Sequence, residues 1–214
     1  MSRALRAVLI AGIVLVVVVF PFVAYRDEYT YQKRLRVVVP GRVYRGGQPT
    51  AAGLRDAVRE LKLRTVINLQ EDVPDPDLYL SYWTLETVKE SELCEQLGVN
   101  FVQISPDLLV RRLIPQERPR AIDEFLTVMD DERNYPVLFH CRAGLHRTGC
   151  LAAVYRMEYQ GWSRDAAWRE LRANGFGEWV STASNDYITQ YVLTFTPGLR
   201  RTADGRFVAK GAVP

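Results

Sequence analysis

The feature that most restricts the fold of this chain is an apolar run that ends in a cysteine and is followed by a short loop with an arginine at its far end. Residues 136–149 read PVLFHCRAGLHRTG. The apolar residues at 137–139 predict a buried strand that delivers Cys141. Five residues separate Cys141 from Arg147, and the strongly apolar stretch 148–159 predicts a helix. The pattern therefore predicts a strand, a tight loop and a helix in direct succession.

The loop between Cys141 and Arg147 has the length of an anion-binding loop. Successive backbone N–H groups of such a loop can point inward, and the amino end of the next helix adds partial positive charge. Gly144 can adopt a backbone conformation that other residues resist. Arg147 offers a planar, two-pronged donor that suits a phosphoryl group better than Lys would. At the mouth of such a loop, Cys141 is expected to be a thiolate nucleophile.

Residues 140–149 follow the pattern H-C-x-x-G-x-x-R-T-G, which resembles the signature of the protein tyrosine phosphatase superfamily in its dual-specificity branch. The run HRTGC at 146–150 is most similar to atypical plant and fungal dual-specificity phosphatases, some of which cleave inositol pyrophosphates. The resemblance extends loosely from about residue 43 to residue 192. It implies an α/β fold with a central, mostly parallel sheet of about four to five strands and helices on both faces.

The resemblance also implies a reaction through a phosphocysteine. Cys141 attacks phosphorus, while Arg147 and the loop N–H groups hold the phosphoryl oxygens. The Thr148 hydroxyl hydrogen-bonds Cys141 and helps it leave, and His140 orients the loop and tunes Cys141. The residues expected to surround the phosphoryl group are Arg142, Ala143, Gly144, Leu145, His146 and Arg147. Neither a metal ion nor an organic cofactor is implied.

The superfamily mechanism needs a carboxylic acid that protonates the leaving oxygen, on a loop roughly thirty residues before the nucleophile. Asp107 lies 34 residues before Cys141 and follows a predicted strand at 101–104. We therefore expect Asp107 to be the general acid. Weaker alternatives are Glu71, Asp72, Asp123 and Glu124.

Other elements follow from hydrophobic periodicity and capping residues. Thr50 is a suitable cap for an amphipathic helix at 51–61, and Ser163 for a helix that follows it. The opening VYRGGQPT at 43–50 resembles that of many bacterial dual-specificity-like phosphatases. The remaining predicted strands and helices are 36–39, 65–69, 85–97, 101–104, 122–129 and 182–193.

A separate apolar segment occupies the amino terminus. Residues 7–24 contain no charge over eighteen positions, which is at the short end of a membrane-spanning helix. A cleaved signal peptide is the alternative, because Arg3 and Arg6 form a basic leader. A cut after Ala24 would place bulky Phe22 where a small residue is usual, which favours an uncleaved anchor. Basic residues flank both ends of the segment, so its orientation stays open.

The composition suits one globular domain with an appendage. The chain has 214 residues, of which 48% are hydrophobic, and a net charge of +3 that gives no reason to expect nucleic acid as a partner. Three cysteines and two histidines indicate neither a disulfide framework nor a zinc site. We predict an anchor at 1–24, a juxtamembrane tether at 25–35, a catalytic domain at 36–196 and a poorly ordered tail at 197–214.

These features predict a single-pass membrane protein that hydrolyses phosphotyrosine, phosphoserine or phosphothreonine. A phosphorylated lipid or an inositol (pyro)phosphate is an alternative substrate, and a non-catalytic phosphate-binding module is an alternative function. The plant and fungal inositol-pyrophosphate enzymes carry Lys where this chain has Leu145, and a second basic residue where it has Ala143. The loss of these charges weakens the case for a highly anionic soluble substrate.

Overall fold

A computed structural model describes residues 2–74, 78, 86–105, 118–177 and 186–212 of the chain. Within them, five strands form one mixed sheet in the order β1-β2-β5-β3-β4. The strands are β1 Arg36–Val39, β2 Val43–Gly47, β3 Thr65–Asn68, β4 Asn100–Gln103 and β5 Val137–Cys141. Strand β1 runs antiparallel to β2, and the other neighbours are parallel. The predicted mostly parallel sheet of four to five strands is therefore confirmed.

Helices cover both faces of this sheet. The helices after the first are α2 Ala51–Leu61, α3 Glu90–Gln96, α4 Arg120–Asp130, α5 Arg147–Gln160, α6 Arg164–Ala173 and α7 Asp186–Leu193. The predicted caps of α2 and α6 are present, because the Thr50 and Ser163 hydroxyls accept backbone N–H bonds from Gly53 and Ala166. Sequence periodicity thus located these helices, although the stretch at 79–85 and the start of the last predicted helix lie outside the described residues.

The central strand β5 shows why the sheet needs a helical layer on each side. Val137 and Phe139 pack with α4 and α5 in one hydrophobic cluster, whereas Leu138 packs with α2 in a second cluster. All three side chains are at most 1% exposed. Successive side chains of a strand point to opposite faces, so an unbroken apolar run requires burial on both.

The first helix, α1, continues through the segments Arg3–Val14, Leu15–Val19, Phe20–Arg26 and Asp27–Tyr31, of which the second and fourth are wound as π-helix. Over the 27 residues from Arg3 to Tyr29 its apolar window is nowhere buried in the domain. At 1.5 Å per residue it is about 40 Å long, compared with about 30 Å for the hydrocarbon core of a bilayer. By length and composition it could span a membrane.

The segment at 25–35, predicted as a tether, packs against the domain. After the helix, residues 31–36 cross the end of β2, and we call them the strap. The Tyr31 carbonyl accepts from the Thr50 N–H at 3.4 Å, and the Lys33 carbonyl accepts from the Gly47 N–H at 2.7 Å. The strap therefore ties the amino-terminal helix to the edge of the sheet.

The expectation of a poorly ordered tail is wrong for the residues described up to 212. Strands β6 Leu199–Arg201 and β7 Phe207–Ala209 pair as an antiparallel hairpin. Arg200 is 9% exposed and donates to both oxygens of Asp130, at 2.6 and 2.9 Å. Ion pairs with the domain order this segment, although it has few apolar residues.

Candidate active site

The structure confirms the predicted succession of strand, loop and helix around Cys141. Cys141 is the last residue of β5 and lies in parallel register with Gly47, the last residue of β2. Arg147 is the first residue of α5, so residues 142–146 form the whole loop between them. Cys141 is 4% exposed. The carboxyl ends of two neighbouring parallel strands therefore support the loop, which is where ligand sites of such sheets lie.

Gly144 lets the loop lie directly on the end of β2. Its φ is +71°, and a Cβ atom there would come within 2.5 Å of the Gly47 nitrogen and 2.6 Å of the Gly46 carbonyl carbon. A Cβ on Gly47 would lie 2.9 Å from the Arg142 carbonyl oxygen. Backbone thus packs on backbone, and the Gln48 N–H adds a bond of 3.1 Å to the Arg142 carbonyl. This close approach explains the glycine pair of β2, which the sequence shows only as a turn signal.

Arg147 and Thr148 are each held by a backbone carbonyl. The Arg147 Nη1 group donates to the carbonyl of Leu69, just beyond β3, at 3.1 Å. The buried Thr148 hydroxyl donates to the carbonyl of Gly46 at 3.3 Å. Its expected bond to Cys141 stays a prediction, as do the catalytic roles of the loop residues.

A buried polar cluster lies behind the loop, and we call Gln48, Asn68, Glu90 and His140 the Glu90 network. The Glu90 carboxylate accepts from the Asn68 amide at 2.7 Å and from the Gln48 amide at 3.1 Å. The His140 Nε2 atom lies 2.9 Å from Glu90 Oε1, an ion-pair distance at which the ring N–H is not aligned for a hydrogen bond. All four residues are at most 1% exposed. A buried carboxylate persists only where such partners surround it.

Glu90 is the main residue near the site that the sequence reading missed. It opens helix α3, where a carboxylate is stabilised by the N–H groups of the first turn. From the sequence, an acidic residue at that position is typical of a solvent-exposed helix start. Its burial beside His140 follows only from the pairing of β3 with β5, which brings Asn68 level with His140.

Two titratable groups near Cys141 are held in their neutral forms. Burial, assisted by the charge of Arg147, lowers the pKa of His146 below its ordinary value. The His146 ring packs edge-on against Phe176, with the ring centres 5.9 Å apart. Burial and the proximity of Cys141 raise the pKa of Cys150 well above its ordinary value. Cys150 is thus a buried helix residue, as expected, and the loop cation is Arg147 rather than His146.

The expected general acid, Asp107, lies outside the described residues. Of the alternatives, Asp123 pairs with Arg118 and with Arg201, the latter at 2.7 Å. The carboxylate of Asp72 accepts from the Ser91 hydroxyl at 2.6 Å, at the start of α3. Both carboxylates have structural partners, so Asp107 stays the candidate. Among the described residues, no group of three His, Cys, Asp or Glu side chains could hold a metal ion.

Comparison with known proteins agrees with this geometry. The sequence profile of the tyrosine phosphatase family matches residues 33–194. The dual specificity protein phosphatase TpbA of Pseudomonas aeruginosa is 51% identical over 70 residues, which cover 30% of this chain and 32% of the relative. The inositol diphosphatase DSP3 of Arabidopsis thaliana is 29% identical over 137 residues, or 64% of this chain and 60% of the relative. The chain therefore spans about a third to three fifths of these curated relatives.

Solved structures share the fold. The core catalytic domain of the PP-IP phosphatase SIW14 of Saccharomyces cerevisiae superimposes with a TM-score of 0.52 at 23% identity, covering 74% of this chain and 85% of that one. The crystal structure of P. aeruginosa TpbA gives a TM-score of 0.52 at 22% identity, covering 76% and 90%. At this level of identity the superpositions establish the architecture, and the activity has to be inferred from the site.

Proposed function

Because this chain belongs to the tyrosine phosphatase family, we propose that it is a cysteine-dependent phosphatase that hydrolyses phosphomonoesters through a phosphocysteine. One observation carries the proposal: Cys141 and Arg147 stand at the two ends of a five-residue loop whose glycine packs on the end of β2. Such a loop turns its N–H groups and one guanidinium toward an anion beside the sulfur. A non-catalytic phosphate-binding module would not need the cysteine.

In the proposed reaction, the Cys141 thiolate forms a bond to phosphorus while the bond from phosphorus to the leaving oxygen breaks. Asp107 donates its proton to that oxygen. Arg147 and the loop N–H groups stabilise the charge on the other phosphoryl oxygens. Water then attacks the phosphocysteine, gives a proton back to Asp107 and releases inorganic phosphate. Thr148 would donate its hydroxyl proton to the departing sulfur after leaving the carbonyl of Gly46.

We further propose that α1 anchors the enzyme in a membrane as a single span. Its length and the exposure of its apolar side chains support this proposal. The substrate classes that the relatives suggest are phosphorylated proteins, from the name of TpbA, and inositol pyrophosphates, from the name of DSP3. Phosphorylated residues of proteins are the first class to test, and a phosphorylated lipid or inositol (pyro)phosphate the second.

The test uses the full chain in detergent micelles. We expect it to hydrolyse para-nitrophenyl phosphate without added metal, to be inhibited by vanadate, and to lose at least about 1,000-fold in rate on Cys141→Ser, since the nucleophile is gone. Cys94→Ala removes another buried thiol, on α3, and is the matched control. A Cys141→Ser protein as active as the wild type would overturn the proposal. No activity in folded wild type would favour a phosphate-binding module.

The role of Asp107 has its own test. Asp107→Asn removes the proton that a poor leaving group needs, so we expect kcat to fall by about 100-fold for phenyl phosphate and much less for a substrate whose leaving group is already stable as an anion. Steady-state rates over a series of aryl phosphates measure this dependence. Equal slowing across the series would remove Asp107 as the acid.

A further inference from the structure

A cavity of about 280 Å³ lies beside the catalytic loop. It is bounded by the end of α1, the strap, strand β1, the loop and the end of α6. Its lining includes Tyr29, Arg34, Arg36, Leu145, Asn174 and Gly175. Among these described lining residues the charged ones are the two arginines, and no carboxylate takes part. The cavity is therefore open to an anion.

The strap fixes Arg34 against the loop. Lys33 and Arg34 both have left-handed backbone conformations, with φ of 48° and 58°. Side chains disfavour this conformation, which persists where the surrounding structure enforces it and which concentrates at functional sites. The enforcing contacts are the bond from the Gly47 N–H to the Lys33 carbonyl at 2.7 Å and the bond from Arg34 Nη1 to the Ala143 carbonyl at 2.9 Å. The turn thus places a guanidinium on the catalytic loop.

Arg36 is fixed on the opposite wall. It begins β1, and its Nη1 atom donates to the side-chain oxygen of Asn174 at 2.8 Å and to the main-chain oxygen at 3.3 Å. Asn174 is held in turn by the bond from its amide to the Glu170 carbonyl at 2.7 Å. A guanidinium has five N–H donors, and the bonds described for Arg34 and Arg36 each start from a single nitrogen. Both groups retain geometry suited to an oxyanion.

We propose that this cavity binds a second phosphate group of the substrate while the first is at Cys141, an inference that rests on the proposed phosphatase function. The loop itself has uncharged side chains at Ala143 and Leu145. The two cations beside them come from the strap and from β1, far away in the sequence. The chemistry they recognise is a phosphate near the scissile one on the same molecule, as on a multiply phosphorylated inositol ring. Such a ring reaches the site either free or as a lipid head group.

Kinetics of the full chain in lipid nanodiscs test the proposal. The quantity measured is the ratio of kcat/KM for a multiply phosphorylated inositol to kcat/KM for para-nitrophenyl phosphate. Arg36→Gln is expected to lower this ratio about tenfold, because a charged hydrogen bond to the second phosphate is lost. Arg36→Lys should restore part of it. Arg133→Gln, at an exposed arginine paired with Asp131, is the control and should leave the ratio unchanged.

An unchanged ratio in Arg36→Gln, with normal activity toward para-nitrophenyl phosphate, would overturn the proposal and leave the phosphatase function intact. If Arg36→Gln fails to fold, Arg34→Gln provides the same comparison. Free inositol phosphates and phosphoinositides in the nanodisc form the two arms of the assay. A ratio that depends on Arg36 in only one arm identifies the source of the substrate.

Binding gives a readout that does not depend on turnover. In Cys141→Ser protein, calorimetry should show that inositol hexakisphosphate binds more tightly than orthophosphate, and that adding Arg36→Gln removes about tenfold of that preference. The preference with an inactive wild type would retain the second phosphate site and reject the phosphatase. Equal affinities with and without Arg36 would reject the site.

Discussion

The domain contains two charged networks that are built differently. The Glu90 network encloses one carboxylate with two amides and an imidazole, all at most 1% exposed. The other, which we call the hairpin network, fastens β6 and β7 to the domain with several ion pairs. Its members are Arg118, Asp123, Asp130, Glu158, Arg200, Arg201 and Lys210. Its side chains are partly exposed, for example 26% for Asp130 and 46% for Lys210.

The difference lies in what can replace a lost partner. Asp130 receives bonds from Arg200, Lys210 and Tyr159, and water reaches this cluster, so the loss of one partner is partly compensated. Water does not reach Glu90, and the loss of its charge leaves three buried polar groups without their acceptor. Since His140 precedes Cys141 on β5, the buried network acts on the catalytic loop, whereas the hairpin network acts on stability alone.

The largest effect is expected at Glu90. Glu90→Ala should lower the free energy of unfolding by about 3 kcal/mol or more, because the buried amides and His140 lose their partner. In the protein that remains folded, kcat for para-nitrophenyl phosphate should fall more than KM changes, since the loop loses its support. Urea unfolding and steady-state kinetics measure the two quantities.

Glu90→Gln separates positioning from bulk packing. The amide keeps the shape and can still accept one bond, so we expect it to restore most of the stability and part of kcat. If kcat followed stability in parallel in both variants, Glu90 would have no separate role in positioning His140, and the contrast between the two networks would fail.

A smaller effect is expected at Asp130. Asp130→Asn weakens the bonds from Arg200 and Lys210 and should lower the free energy of unfolding by about 1 kcal/mol, with kcat within about twofold of the wild type. Lys210→Gln should have a smaller effect than Asp130→Asn, because Lys210 makes one of several bonds. A large loss of activity in either variant would show that the hairpin does reach the catalytic loop.

Acidification tests the hairpin network without removing atoms from it. Burial raises the pKa of Asp130, but bonds from Arg200, Lys210 and Tyr159 outweigh it and hold the pKa at about 2, against an ordinary 3.8. A depressed carboxylate pKa stabilises the fold above the ordinary value, and this stability is lost as the pH falls from about 4 toward 2. Thermal unfolding of Asp130→Asn should therefore depend less on pH across this window. The same slope in both proteins would contradict the assignment.

The smallest effect is expected at His146 and appears at a different pH. Because its pKa is lowered in the folded loop, the unfolded chain binds a proton first as the pH falls below the ordinary value near 6.5. Stability is then complete above that pH and decreases as the pH falls toward the folded value. His146→Gln should flatten the unfolding free energy between pH 7 and pH 5. Such a slope unchanged in the variant would assign it to another group.

The parts of the site that the sequence predicted are those contiguous along the chain. Strand β5, the loop and α5 follow one another, so Cys141 and Arg147 could be placed from their spacing alone. Contacts between distant segments were not predicted: Arg34 reaches the Ala143 carbonyl across 109 residues, and Glu90 meets His140 only through the register of the sheet.

The C-terminal hairpin was missed for a related reason. Its sequence is rich in Gly, Arg and Ala, and such composition is typical of a disordered tail. Its order depends on Asp130 and Glu158, which belong to other elements, and on Phe207, over whose ring the Arg118 guanidinium lies at 4.6 Å. Periodicity reports which face of an element is apolar and carries no information about ion pairs between distant segments.

The strap also decides where this protein can be cut. A water-soluble fragment is made by removing the hydrophobic helix, and the choice of first residue is usually a matter of convenience. A fragment that starts before Tyr31 keeps the carbonyl that caps the Gly47 N–H and the cation on the loop. One that starts at Arg36 loses both while retaining the whole sheet. Two laboratories that differ by a handful of codons would then measure two substrate preferences for the same gene.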